Sequence, residues 1–209
     1  MTRLRALLIA AGLVITSFLA LGVSPARADV CGDPSAQMAG VGDQVVSILN
    51  DPASDPAEQE AQLGRLLAAN FDLPYIAKLI IGRTYRTLKP VQQAEYQQLF
   101  ADFVLKTYTA RMTQYSGQTF RIDGAQPAGK RDVMVSSTLQ RAGGVPFQVD
   151  WRLRCRDTGH KVIDVIVEGV SMVVTQRNEF STMIANHGFD GLLASLRDRI
   201  ESAARTRPA

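Results

Sequence analysis

The residues of this chain that could do chemistry are few, and their spacing argues against a reaction. Catalysis needs a nucleophile with its base, a carboxylate pair or a set of metal ligands, and two histidines, His160 and His187, supply the commonest base and ligand. His160 follows the turn sequence Asp157-Thr158-Gly159 and His187 precedes Gly188. A turn and a helix end account for them, and a histidine is favourable at a helix C-terminus in any case. Ser171 with Glu168 could be a hydrolase remnant, yet a strand serine with no base nearby in sequence serves packing or hydrogen bonding. Cys31 and Cys155 are far apart and form no C-x-x-C, so neither a zinc site nor a thioredoxin-like pair is indicated. G-x-S-x-G, P-loop and dinucleotide fingerprints are missing from the sequence. The chain reads as a non-enzyme, with no catalytic residue, no metal and no cofactor expected.

The N-terminus bears on where the chain works. Arg3 and Arg5 precede an apolar run from Ala6 to Val23, followed by Pro25 and the small-residue pattern Ala26-Arg27-Ala28. This is a secretory signal cleaved after Ala28, the competing reading being a retained anchor helix. An exported chain meets an oxidising compartment, where Cys31 and Cys155 read as one disulfide, against one buried and one free thiol. A loop that long contributes at most about 4 to 5 kcal/mol in the chain-entropy model.

Cleavage also changes the charge balance. Three of the 23 basic residues leave with the signal and none of the 20 acidic ones, so the mature chain is balanced at 20 and 20. A balanced chain offers no bulk attraction for nucleic acid. Residues 29–203 suit a single domain with a sizeable core, and the Arg/Ala/Pro tail, 204–209, is expected to fray.

The first part of the mature chain has helical periodicity. Met38, Val41, Val45, Ile48 and Leu49 recur at three- and four-residue steps between Ser35 and Leu49. Asp55 can cap and Pro56 can open a second helix ending near Asn70, and Asp72 can cap a third that ends at Gly82. A long fourth helix is expected from Pro90 to about Tyr115.

From Phe120 the period changes to two. Val133, Val135, Ser137 and Leu139 alternate with Asp132, Met134, Ser136 and Thr138, and after Arg141-Ala142-Gly143-Gly144 Val145, Phe147, Val149, Trp151, Leu153 and Cys155 alternate with Pro146, Gln148, Asp150, Arg152 and Arg154. The apolar run from Lys161 to Val174 is rich in β-branched residues and reads as a last strand, with Gly169 as a bend that curves the sheet. Two helices follow, one ended by His187-Gly188 and one capped by Asp190. The fold class is α+β: N-terminal helices, a four-stranded antiparallel curved meander, then C-terminal helices packed on the sheet.

Three stretches carry a resemblance: FDLPYIAKLIIGRTYR from Phe71 to Arg86, VEGVSMVVTQRNEF from Val167 to Phe180, and GFDGLLASL from Gly188 to Leu196. In this order they resemble the periplasmic phospholipid-binding component of the Mla (toluene-tolerance) ABC transport system, over nearly all of the mature chain. The resemblance implies a soluble periplasmic lipid carrier, with a lipid cavity between sheet and helices. It further implies a monomer that exchanges cargo with an inner-membrane ABC transporter complex and an outer-membrane lipoprotein complex. The run Thr175 to Phe180 and Trp151 look closer to the hopanoid-biosynthesis-associated branch, so the implied cargo is a phospholipid or a hopanoid. The alternative is a non-enzymatic adaptor with a closed core.

On that reading the inward candidates for lipid binding are Ile76, Ile80, Phe103, Val104 and Tyr108 from the helices, with Val133, Val135, Val149, Trp151, Val165 and Val167 from the sheet. Arg83, Arg86 and Arg177 are candidates for headgroup or partner contacts, because guanidinium suits phosphate geometry.

Overall fold

A computed structural model of the chain describes residues 31–113, 118–141 and 144–205. The export signal, the end of the long helix at Tyr115, the Ala142-Gly143 turn and residues 206–209 lie outside the described residues.

Local chemistry sets the helix starts. Asp33 caps α1 (Pro34–Leu49), accepting from the Ser35 N–H at 2.8 Å, and Asp55 caps α2 (Pro56–Asn70) by accepting from Glu58 N–H at 2.8 Å. Asp72 does the same for α3 (Leu73–Ile81) through Tyr75 N–H at 3.1 Å, and each of these helices has a proline in its first turn. Gly82 ends α3 with φ 54°, and a short helix, α4 (Arg83–Thr87), absent from the sequence reading, follows at once. The long helix α5 (Pro90–Met112) comes next.

Five strands follow: β1 (Gln118–Pro127), β2 (Asp132–Arg141), β3 (Phe147–Arg156), β4 (Gly159–Val167) and β5 (Val170–Ser171), antiparallel and in chain order. The expected fourth strand therefore stops at Val167 rather than Val174. Glu168 (φ 47°) and Gly169 (φ 79°) are both left-handed and form the two-residue turn into β5, after which α6 (Met172–Arg205) begins. Val173 and Val174 suggest strand by their branching, but in a helix each costs only a few tenths of a kcal/mol against about 1 kcal/mol for a good N-cap. Gly169 is a hairpin residue, not a bend within a strand. The irregularities that curve the sheet lie elsewhere, between Ile122 and Gly124 in β1 and opposite Arg152 and Leu153 in β4. Gly188, φ 70° and ψ 179°, divides α6 into the two helices expected from the sequence, and Ala204 and Arg205 continue the second.

Register assigns the sheet's two faces. Ser137, Val149 and Val167 form one rung, Val135, Trp151 and Val165 the next, and Val133, Leu153 and Val162 a third, all on one face. α1 covers part of it, with Met38 packed on Val135, Leu153 and Val162. The opposite face is polar. Asp132 accepts from Arg154 Nε at 2.6 Å and Arg152 Nε at 2.8 Å, and the Arg154 guanidinium lies 4.8 Å from the Tyr75 ring of α3.

A second core forms among α3, α5 and α6, where Ile76, Ile80, Tyr96, Phe100, Phe180 and Leu192 are buried together. Phe71 packs against both cores and forms a parallel bridge with Val162, so the α2–α3 junction joins the helical layer to the free edge of β4.

Candidate functional site

A cavity of about 960 Å³ opens among α2, α5 and α6. Phe103, Thr107, Ala110 and Arg111 of α5 recur at helical spacing along one wall, with Tyr108 and Thr113 beside them, and Met172, Thr175, Gln176 and Glu179 of α6 form a second. Pro56, Gln59 and Glu60 from the start of α2 and Arg199, Ser202 and Ala203 from the end of α6 complete it. Its volume falls at the upper end of the range for small-molecule sites.

The charges along these walls are arranged around aromatic rings. Arg199 pairs with Glu179, and its guanidinium lies 5.8 Å from the Phe103 ring centre. Arg111 lies 5.9 Å from the Tyr108 ring centre. Gln176 Nε2 donates to the other Glu179 oxygen at 2.8 Å. Burial pushes the Tyr108 hydroxyl up; Arg111 opposes this and Glu179 adds to it, as three groups sharing one small space must.

Ser171, His160 and His187, the residues considered for catalysis, do not line this cavity. Ser171 Oγ donates to Asp164 Oδ2 at 2.6 Å and accepts from Val174 N–H at 3.0 Å, which makes it the cap of α6 rather than a nucleophile. His160 is buried in β4 beside α1, and His187 is exposed at the break of α6. Among the described residues no cluster of three His, Cys, Asp or Glu could hold a metal. Cys31 and Cys155 are joined as a disulfide with their Cα atoms 5.8 Å apart, tying the segment before α1 to β3.

Of the eleven apolar candidates, Phe103 and Tyr108 line this cavity. Ile76 and Ile80 are 7% and 2% exposed inside the helical core, and Val104 packs against that core. Val133, Val135, Val149, Trp151, Val165 and Val167 share the apolar face of the sheet; Val135 and Val149 are buried, while the other four remain half-buried. The walls of this cavity are thus helical, where the sequence reading expected a cavity between sheet and helices. Arg83 and Arg86 are exposed on α4, and Arg177 Nη2 donates to the Leu79 carbonyl at 2.7 Å at the end of α3. None of the three lines the cavity. Arg111, Thr175, Gln176, Glu179 and Arg199 do, and the sequence reading missed them. Apolar periodicity finds the face a helix buries, not a polar wall beside it.

Comparison with known proteins places this architecture. The family model described as MlaC protein matches residues 40–198. The intermembrane phospholipid transport system binding protein MlaC of Haemophilus influenzae is 22% identical over 149 residues, 67% of this chain and 70% of that protein. The toluene tolerance protein ttg2D of Pseudomonas putida is 25% identical over 138 residues, 66% of this chain and 64% of its own length. A phospholipid-binding protein of Ralstonia solanacearum, solved in complex with a phospholipid, superposes with a TM-score of 0.72 at 25% identity, covering 82% of this chain and 99% of its own. With the family model matching well over half of its length, the chain belongs to the MlaC protein family.

Proposed function

We propose that this protein is a periplasmic lipid carrier that holds a phospholipid while passing it between membrane complexes. The cavity of about 960 Å³ among α2, α5 and α6 carries the proposal, together with the phospholipid bound by the Ralstonia solanacearum relative. Each buried methylene is worth about 0.8 kcal/mol, so a lipid with two chains cannot cross water unless its tails are covered. The divided interior supports the same reading. The apolar sheet face and the helical core are separate clusters, and Trp151, Val165 and Val167 are incompletely covered. A hydrocarbon chain would find apolar surface there without disrupting either core.

The export signal expected to end at Ala28 supports a periplasmic site of action. Delivery requires docking to an inner-membrane ABC transporter complex and an outer-membrane lipoprotein complex. Arg83 and Arg86 are the proposed partner contacts. They stand with Lys78 and Lys89 in exposed positions near the α3–α4–α5 junction, and none of the four makes an ion pair among the described residues. Extraction of protein purified without detergent, followed by mass spectrometry, tests the carrier. One phospholipid per chain is expected, and a lipid-free protein that takes up none from vesicles would overturn the proposal.

A further inference from the structure

We infer that Arg111 is the residue of the cavity that contacts the phosphate of a bound phospholipid. This rests on the lipid-carrier reading. Two guanidiniums line the cavity, and they are not equivalent. Arg199 is engaged with Glu179, which also accepts from Gln176, so that side of the wall is internally neutralised. Arg111 has no ion pair among the described residues and meets the Tyr108 ring. A guanidinium held against an aromatic ring keeps its charge and can offer paired N–H donors to two phosphate oxygens.

Position agrees with charge. Phe103 is 5% exposed, whereas Arg111, eight residues further along α5, is exposed. At 1.5 Å per residue these two lie roughly 12 Å apart along the same wall. An amphiphile lying against α5 therefore meets a buried aromatic at one end and a solvent-facing cation at the other.

The test loads the full detergent-free protein from vesicles holding phosphatidylglycerol and diacylglycerol of the same chains. Extracted lipid is quantified by mass spectrometry, and the bound headgroup is read by phosphorus NMR. Wild type should carry the phospholipid in preference to diacylglycerol, with a displaced phosphorus resonance. Arg111→Gln should lose about tenfold in phospholipid loading and the displaced resonance, while its lipid-free form melts at the same temperature as delipidated wild type. Arg131→Gln, in the β1–β2 turn away from the cavity, should behave as wild type. Equal phospholipid loading in Arg111→Gln, or equal uptake of diacylglycerol by wild type, would overturn the assignment. Millimolar inorganic phosphate should leave loading unchanged; if it displaces the lipid, the site is one for free phosphate and the inference is wrong. Uptake of neither lipid by wild type would instead remove the carrier reading on which the inference stands.

Discussion

Asp164 and Ser171 face each other across the β4–β5 turn, where the Ser171 hydroxyl donates to Asp164 Oδ2 at 2.6 Å while Oδ1 accepts from the Val173 N–H at 3.1 Å. One carboxylate thus orients the N-cap of α6 and satisfies one of its first free N–H groups. The turn that follows carries Met172, Thr175, Gln176 and Glu179 into the cavity wall, so the edge of the sheet fixes one wall of the site.

Asp164→Ala should therefore cost about 1–3 kcal/mol, because it leaves a partly buried N–H without an acceptor and frees the capping hydroxyl. Ser171→Ala should cost less, about 1 kcal/mol, since Asp164 still holds Val173. Urea unfolding measures both. An Asp164 variant as stable as wild type would show that the start of α6 is held by packing of Val173 and Phe180 alone.

Acid should weaken the protein through Asp132. Burial pushes this carboxyl up, but the hydrogen bonds and charges of Arg154 and Arg152 outweigh it and hold it below the usual carboxylate range. A carboxyl depressed on folding contributes its full stability above its unfolded value, about pH 4, and that contribution is lost as pH falls through the lower folded value. Asp132→Asn should accordingly be less stable than wild type at neutral pH, and the difference between them should shrink in acid. Denaturation curves from pH 7 to pH 2 check the sign. A constant difference across that range would assign the effect to packing.

The disulfide and Gln37 hold α1 against the sheet by independent means. The Gln37 side-chain amide donates to the His160 carbonyl at 2.7 Å and accepts from its N–H at 3.1 Å, as a neighbouring strand would, and Cys31–Cys155 closes the segment just before it. Reducing the bond should lower stability by up to about 4–5 kcal/mol. Gln37→Ala should cost about 1–2 kcal/mol in the oxidised protein and a different amount once α1 is untethered. A double-mutant cycle with Cys31→Ser/Cys155→Ser measures the coupling, and strict additivity would show that the two ties do not share α1 as their common element.

The starts of α2 and α3 were legible because a cap is a local event: Asp55-Pro56 and Asp72 act on the N–H groups three residues away, and nothing distant alters that. The alternation that set β2 and β3 was legible for the same reason. The end of β4 was not. Val173 and Val174 look like strand by their branching, and the feature that overrides them is a carboxylate seven residues before Ser171, which becomes a neighbour only after the hairpin closes. The cavity was legible only at Phe103 and Tyr108. Arg111, Glu179 and Arg199 come from three separate stretches, and what unites them is the packing of α5 against the two halves of α6.

The cavity's role can be probed by filling it. Ala110 lines it on α5, seven residues beyond Phe103 and three beyond Thr107, so an indole at this position projects among the same walls. Ala110→Trp should keep the fold and lose most of the extractable lipid. A ligand that binds only the folded state adds RT ln(1 + [L]/Kd), about 2.7 kcal/mol at a hundred times Kd. Delipidation should therefore lower the melting temperature of wild type and leave that of Ala110→Trp unchanged. An equal fall in both proteins would move the bound lipid out of the helical cavity and onto the half-covered sheet face at Trp151 and Val165, where an indole at residue 110 would not reach it.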